Sequence, residues 1–207
     1  MQESGDGIAL PFPTRPVPNP SIEVQKAIVN SAHKHNVLTV AHAVSCSDTL
    51  RMLEAGVDGL AHACNEILSQ DLLDAFKKSK AFVIPTLAVH ASASGEEQPS
   101  RERFASGLKN GQREHMCSCL NISREGFTMQ NACENVRVLK AAGIEIVWYV
   151  GLILRLYMTI LTRPCSGTDT SNHLKGVMAG ASLLHELWLY VNRCGFTPLE
   201  ALKSATS

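Results

Sequence analysis

At 207 residues the chain has the length of one domain or slightly more, enough to bury a core on folding. Its 19 Lys and Arg balance 19 Asp and Glu, the pI is near 7.1, and 45 % of residues are hydrophobic against 18 % charged. That balance excludes the basic surface of a nucleic-acid binder and the polybasic patch that seeks an acidic membrane. Seven cysteines, an odd number with no CxxC pair and no secretory signal, point to reduced thiols in an intracellular, cytoplasmic protein rather than to a disulfide framework.

Residues 1–20 hold five prolines (Pro11, Pro13, Pro16, Pro18, Pro20) and the turn Gly5-Asp6-Gly7, which predicts a loop. The glycines precede no strand-helix unit, so they do not form a phosphate loop. Ser21 reads as an N-cap with Glu23 in the first turn of a helix. Val24, Ala27, Ile28 and Ala32 follow at helical spacing, and Asn36 is the stop. His33 and His35, near the carboxyl end, complement the helix dipole.

Residues 37–43 (VLTVAHA) and 57–63 (VDGLAHA) copy one another: each is an apolar, strand-like run ending in Ala-His-Ala. Between them Ser47 and Asp48 can cap a helix that carries Leu50 and Leu53 and ends at Gly56. Ser69 caps the next helix, with Leu72, Leu73 and Phe76 on one face and Lys77 and Lys78 in its last turn. Residues 81–86 (AFVIPT) form a third strand, with Pro85 at the end where a ladder donor can be spared. Three β-α units in succession predict a parallel sheet with helices outside, its strands ending at His42, His62 and Thr86 in that order.

His42 and His62 then stand at the carboxyl ends of neighbouring parallel strands, where parallel barrels assemble their chemistry. A lone core histidine is more often a hydrogen-bonded filler than a ligand; the duplicated triplet favours a pair of metal ligands.

Residues 90–112 are polar and rich in Ser, Gly and Glu, which predicts a surface excursion or lid with His90 in the loop. A helix follows over 126–143, carrying Val136, Leu139 and Lys140 and stopped by Gly143; residues 144–147 start a fourth strand. Asp169, in Gly167-Thr168-Asp169-Thr170, follows another apolar run and is the third candidate ligand, and His173 lies near enough in sequence to reach a substrate. A helix over 181–193 carries Leu183, Leu184, Leu187 and Val191, and its His185-Glu186 pair reads as structural. Thr197-Pro198-Leu199-Glu200 combines a capping box with proline at the first helical position, starting a helix over 199–205. The stretch 148–165 (WYVGLILRLYMTILTRPC) is far more apolar than its surroundings. Read from 144 it approaches a membrane span, but Glu145 and Arg155 lie within it, and a charge near the bilayer centre costs about 2.5–3.5 kcal/mol.

Taken together, LTVAHA, EAGVDGLAHA, FVIPTL, LKAAGIEIV with GTDT, and ASLLHELWLYV with CGFTPLEALKSATS resemble, in this order, the metal-dependent amidohydrolase superfamily in its imidazolonepropionase-like and prolidase-like branch. The likeness covers nearly all of the chain outside 148–165. It implies an α/β fold, a partial (β/α)8 TIM-type barrel made of strands five to eight with their helices. By resemblance His42 matches the metal-binding histidine ending strand five, His62 that of strand six, and Asp169 the aspartate of strand eight. In the family the histidines belong to one metal and the aspartate serves the other, also taking a proton from the attacking water. The resemblance implies Zn2+ or another divalent metal, one or two in a complete site, and hydrolysis of amide-type C–N bonds in small molecules such as N-acyl amino acids, dipeptides or cyclic amides. Neutral imidazole suits zinc, and a carboxylate beside activated water can shuttle its proton to a leaving amine.

The chain departs from the pattern as well. It has no His-x-His on a first strand and no lysine ending a fourth, and a whole barrel of this type needs about 250 residues. The expectation is therefore a truncated hydrolase within 1–207, not competent by itself, with 148–165 foreign to the family and read as a translated intron; the alternative is an inactive barrel remnant. Expected partners are a small-molecule amide substrate and, through open sheet edges, further copies of the chain, with no nucleic acid and no membrane.

Overall fold

The computed structural model describes residues 19–64, 66–122, 127–147 and 174–206. Asp169, His173 and the stretch 148–165 lie outside the described residues, as does most of the proline-rich start. Helix α1 (Ile22–Lys34) leads into strand β1 (Val40–His42), helix α2 (Cys46–Ala55), strand β2 (Gly59–Ala61), helix α3 (Gln70–Ser79) and strand β3 (Phe82–Ile84). The strands are parallel and ordered β1-β2-β3, as the sequence predicts, with Val40, Gly59 and Phe82 in register. They are shorter than the apolar runs that contain them, yet the ladder continues at both ends: Gly59 N–H donates to Thr39 O, Ala43 N–H to Ala61 O and Ala63 N–H to Pro85 O. The predicted fourth strand appears as a single parallel bridge from Ile146 to Val83.

Helix ends follow local chemistry. Ser21 and Ser69 accept N–H bonds from Val24 and Leu72, as N-caps should. The cap of α2 is Ser45, bonded to Asp48 N–H, so the helix starts earlier than Ser47. Gly56 ends it at φ +89°, a left-handed conformation that glycine adopts without cost. Helix α4 (Leu87–Ser94) follows β3, then α5 (Gln98–Ala105), α6 (Asn110–Cys117), α7 (Met129–Ala141), α8 (Ala181–Arg193) and α9 (Pro198–Thr206). The predicted capping box on α9 is formed, Glu200 accepting from Thr197 N–H and Oγ1 while Glu200 N–H donates to Thr197 Oγ1. Among the described residues no helix is long and apolar enough to cross a membrane.

The core lies between the sheet and its helices, where Met52, Leu60, Phe76, Val83, Val136 and Leu189 are at most 1 % exposed. Two expectations are corrected. Residues 90–112 are a surface excursion only in their second half: α4 is buried from Leu87 to Ala93, because its small side chains allow close approach, whereas most of 102–112 is exposed. Within α5, Arg101 is buried by donating to Ser118 O and Gln98 Oε1, so polar composition concealed an interior segment. In α1 the buried face is Gln25 and Val29, with Val24 and Ile28 exposed, since the Gln25 amide donates to Pro20 O and turns inward.

Gly59 leaves the space that the Phe82 ring occupies on the neighbouring strand; a Cβ there would come within 2.2 Å of that ring. Gly59→Ala should cost about 1–3 kcal/mol by overpacking. In a Phe82→Ala background the same change should cost much less, which a urea-unfolding comparison checks; equal costs in both backgrounds would contradict the contact.

Candidate metal centre

His42 is the last residue of β1 and His62 the first beyond β2, so equivalent sequence positions deliver both imidazoles to the carboxyl end of the sheet. Their ring centroids are 4.4 Å apart with planes at 76°, edge against face. His62 adopts φ +81°, unusual for a side-chain-bearing residue and found where surrounding structure imposes it. Its N–H still donates to Ile84 O at 2.8 Å, so the ladder holds the turn in place.

Thr86, at the end of β3, decides which nitrogen His62 presents. A hydroxyl has one proton, and Thr86 donates it to Pro85 O at 2.7 Å. With that proton on Pro85 O, the oxygen 2.6 Å from His62 Nδ1 is the acceptor, an arrangement that assigns the imidazole proton to Nδ1 and the lone pair to Nε2. Orientation of a ligating histidine through its other ring nitrogen is the usual support of a metal site. Two further side chains fix the backbone that follows His62. His90 on α4 is buried, stacked on Phe127 at 5.4 Å and bonded to the Ala63 carbonyl. Asn135 on α7 donates to Cys64 O at 3.0 Å and Glu66 O at 2.6 Å, and accepts from Leu68 N–H at 2.9 Å.

Glu186 on α8 is fully buried, its carboxylate oxygens accepting from the N–H groups of Leu87 (2.7 Å) and Ala88 (2.6 Å) at the start of α4. The predicted apolar face of α8 is thus turned. Ser182, His185, Glu186, Leu189 and Tyr190 face inward, and Leu184 is exposed. The signal for these supporting residues was a polar side chain at the core register of an amphipathic helix, Asn135 between Ala132 and Leu139 and Glu186 between Ser182 and Leu189.

Of the predicted site residues, His42 and His62 are brought together, whereas Asp169 and His173 lie outside the described residues. Among the described residues no group of three or more His, Cys, Asp or Glu side chains is placed to hold a metal ion. Two convergent imidazoles, one held through Nδ1 by Thr86, fit part of a zinc donor set, which requires three protein ligands for a catalytic ion. A cavity of about 910 Å3 opens at the opposite, amino end of the strands, beside His33, Leu38, Asp58, Lys80 and Phe82, and its lining includes neither histidine. There His33, read as a dipole partner, bonds Asp58 at 2.8 Å.

Burial sets the acid response. It pushes His90 down from 6.5 to about 4 against the opposing Ala63 carbonyl, and His185 to about 4 with help from Arg101. Both bind protons less readily folded than unfolded, so their contribution is complete above pH 6.5 and drains away as pH falls to about 4. Burial also pushes Glu186 up from 4.5 to about 7, and its contribution runs oppositely, complete below pH 4.5 and lost as pH rises through 7. Two histidines outweigh one carboxylate, leaving a net loss of roughly 3 kcal/mol at most on acidification. Urea midpoints should fall between pH 6.5 and 4; midpoints that rise over that range would contradict this account.

No protein-family model matches the chain, and no curated protein does. Solved structures do. An amidohydrolase structure is 20 % identical with a TM-score of 0.60, covering 99 % of this chain and 39 % of that one. A Xaa-Pro dipeptidase with methionine bound in its active site is 17 % identical with a TM-score of 0.57, covering 91 % and 37 %. A prolidase complexed with N-methylphosphonate-L-proline is 21 % identical with a TM-score of 0.57, covering 99 % and 40 %. The chain spans about two fifths of the length of these structures. The fold they share with it is that of prolidase-like and amidohydrolase structures, the group its sequence motifs resemble.

Proposed function

We propose, from a fold shared with prolidase and amidohydrolase structures, that this chain is part of a metal-dependent hydrolase of amide-type C–N bonds in small molecules. The observation that carries the proposal is the pair of imidazoles at matching ends of adjacent parallel strands, 4.4 Å apart, with His62 Nδ1 bonded to the Thr86 hydroxyl. In this reading the three-stranded sheet and its outer helices are part of a (β/α)8 barrel. His42 and His62 hold a divalent cation, zinc first among candidates. A cation held there would supply Lewis-acid chemistry, polarising a scissile carbonyl and lowering the pKa of water to about 7. His62 is held by Thr86, Asp169 serves the second cation of the complete site and carries the proton to the leaving amine, and His173 contacts the substrate. N-acyl amino acids and dipeptides are the substrates proposed, in keeping with the Xaa-Pro dipeptidase and prolidase among the similar structures.

The His-x-His of a first strand and the lysine ending a fourth strand, which the family pattern includes, are missing from the 207 residues, so turnover needs a complementing half. The chain should be assayed with zinc, manganese or cobalt on N-acyl amino acids and Xaa-Pro dipeptides, both alone and fused to an upstream half of an amidohydrolase bearing those groups, with 148–165 removed. We expect no turnover above a metal-only control from the chain alone and metal-dependent turnover from the fusion. A folded, metal-loaded fusion without activity would favour the inactive remnant. Turnover by the chain alone, abolished by Asp169→Asn, would overturn the need for a second half.

A further inference from the structure

The start of α4 is built in an unusual way. A helix that opens with Thr at the N-cap would ordinarily use that hydroxyl to bond its own first-turn N–H groups. Here Thr86 sits at φ +53° and makes no side-chain cap bond. Its hydroxyl is committed elsewhere, donating to Pro85 O and accepting from His62 Nδ1. The N–H groups that it leaves unmet, those of Leu87 and Ala88, are taken by the two carboxylate oxygens of Glu186, a residue 98 and 99 positions away on α8. One turn along the same helix, His90 bonds the carbonyl of Ala63, the residue after His62.

We propose that Glu186 is a positioning residue for the candidate metal site: by capping α4 from outside, it frees the Thr86 hydroxyl to orient His62. This rests on the reading of His42 and His62 as metal ligands and deepens it by assigning the support of that site to α8. A carboxylate suits the task because two oxygens meet two N–H groups at a helix amino end, where negative charge is favoured. A neutral amide has one accepting oxygen and would turn its NH2 group toward the second N–H. Burying a carboxylate is costly unless its bonds are complete, and an apolar residue at position 186 would pack the same space more cheaply. Capping of α4 accounts for the charge. The link is directional: Glu186 touches α4, α4 carries Thr86 and His90, and those two hold His62 and Ala63.

The test uses the full chain and reads the imidazoles directly. In 15N spectra of the metal-free protein, His62 should show a protonated Nδ1 and an unprotonated Nε2. Glu186→Gln, nearly the same shape, should shift His62 toward a mixture of tautomers, and Thr86→Ala should reproduce that shift without touching Glu186. Thr86→Ser, which keeps the hydroxyl, should restore the native signature. Zinc affinity should fall by about 10- to 100-fold in Glu186→Gln, the range typical of groups that orient metal ligands. The double variant Glu186→Gln with Thr86→Ala should lose little more than either single change, because both act on one link. A folded Glu186→Gln protein with the native His62 signature would overturn the proposal, as would fully additive losses of affinity. If zinc does not bind the unaltered chain, the reading as a metal site fails, while the imidazole signature still decides whether Glu186 positions His62.

Discussion

Asn135→Ala should lower stability by about 2–4 kcal/mol and weaken the candidate metal site at the same time. Asn135 is 1 % exposed and makes three bonds to the backbone that leaves His62, one accepted from Leu68 N–H and two donated to Cys64 O and Glu66 O. Each such bond contributes about 0.5–1.5 kcal/mol, and more where the abandoned partner stays buried. Glu66 is exposed and can be rehydrated, whereas Cys64 is 4 % exposed and keeps an unmet carbonyl. Asn135→Asp is the sharper variant. It keeps the acceptor for Leu68 but turns a carboxylate oxygen on two carbonyls, so it should be at least as damaging as alanine. Urea unfolding measures both, and a loss below about 0.5 kcal/mol for Asn135→Ala would show that the loop holds itself.

His62→Ala should reduce zinc affinity by at least about 100-fold, since it removes one of the two paired imidazoles from a site where a catalytic zinc takes three protein ligands. His42→Ala should do the same. Position 62 permits a control that separates ligation from folding. At φ +81° an alanine is strained by about 1 kcal/mol where glycine is not. His62→Gly should therefore be the more stable of the two variants, yet equally unable to bind zinc. If metal affinity followed stability instead, the loss would be one of folding. Titration of both variants with zinc, beside their urea midpoints, distinguishes these outcomes.

The parts of this structure legible in the sequence are those set by local rules. Ser21, Ser69 and the Thr197–Glu200 box cap helices because their side chains reach N–H groups three residues away. Gly56 stops α2 because it alone bears φ +89° without strain. The repeated Ala-His-Ala ends mark equivalent places on neighbouring strands, which is why the pairing of His42 with His62 could be anticipated. What was hidden depends on partners far along the chain. Glu186, read with His185 as structural, shows what it holds only once Leu87 and Ala88 are found 99 and 98 residues before it. Residues 90–101 read as solvent-exposed because Arg101 and Ser100 are polar, although Arg101 donates to Ser118 and Gln98, and Ser100 meets His185 at 2.8 Å. Hydrophobic periodicity also placed the buried face of α1 on Val24 and Ile28, whereas hydrogen bonding drew Gln25 inward. In each case a hydrogen-bonded polar group turned inward and overrode a pattern that counts apolar residues alone.

The most direct measurement is the position of a bound metal ion. Crystals grown with zinc and measured at the zinc absorption edge should show one strong anomalous peak at the carboxyl ends of β1 and β2, about 2.0–2.1 Å from a ring nitrogen of His42 and from Nε2 of His62. Thr86 should remain on His62 Nδ1. A peak elsewhere in the molecule, with both imidazoles bare, would contradict the assignment of this pair as the metal-holding arm of a hydrolase.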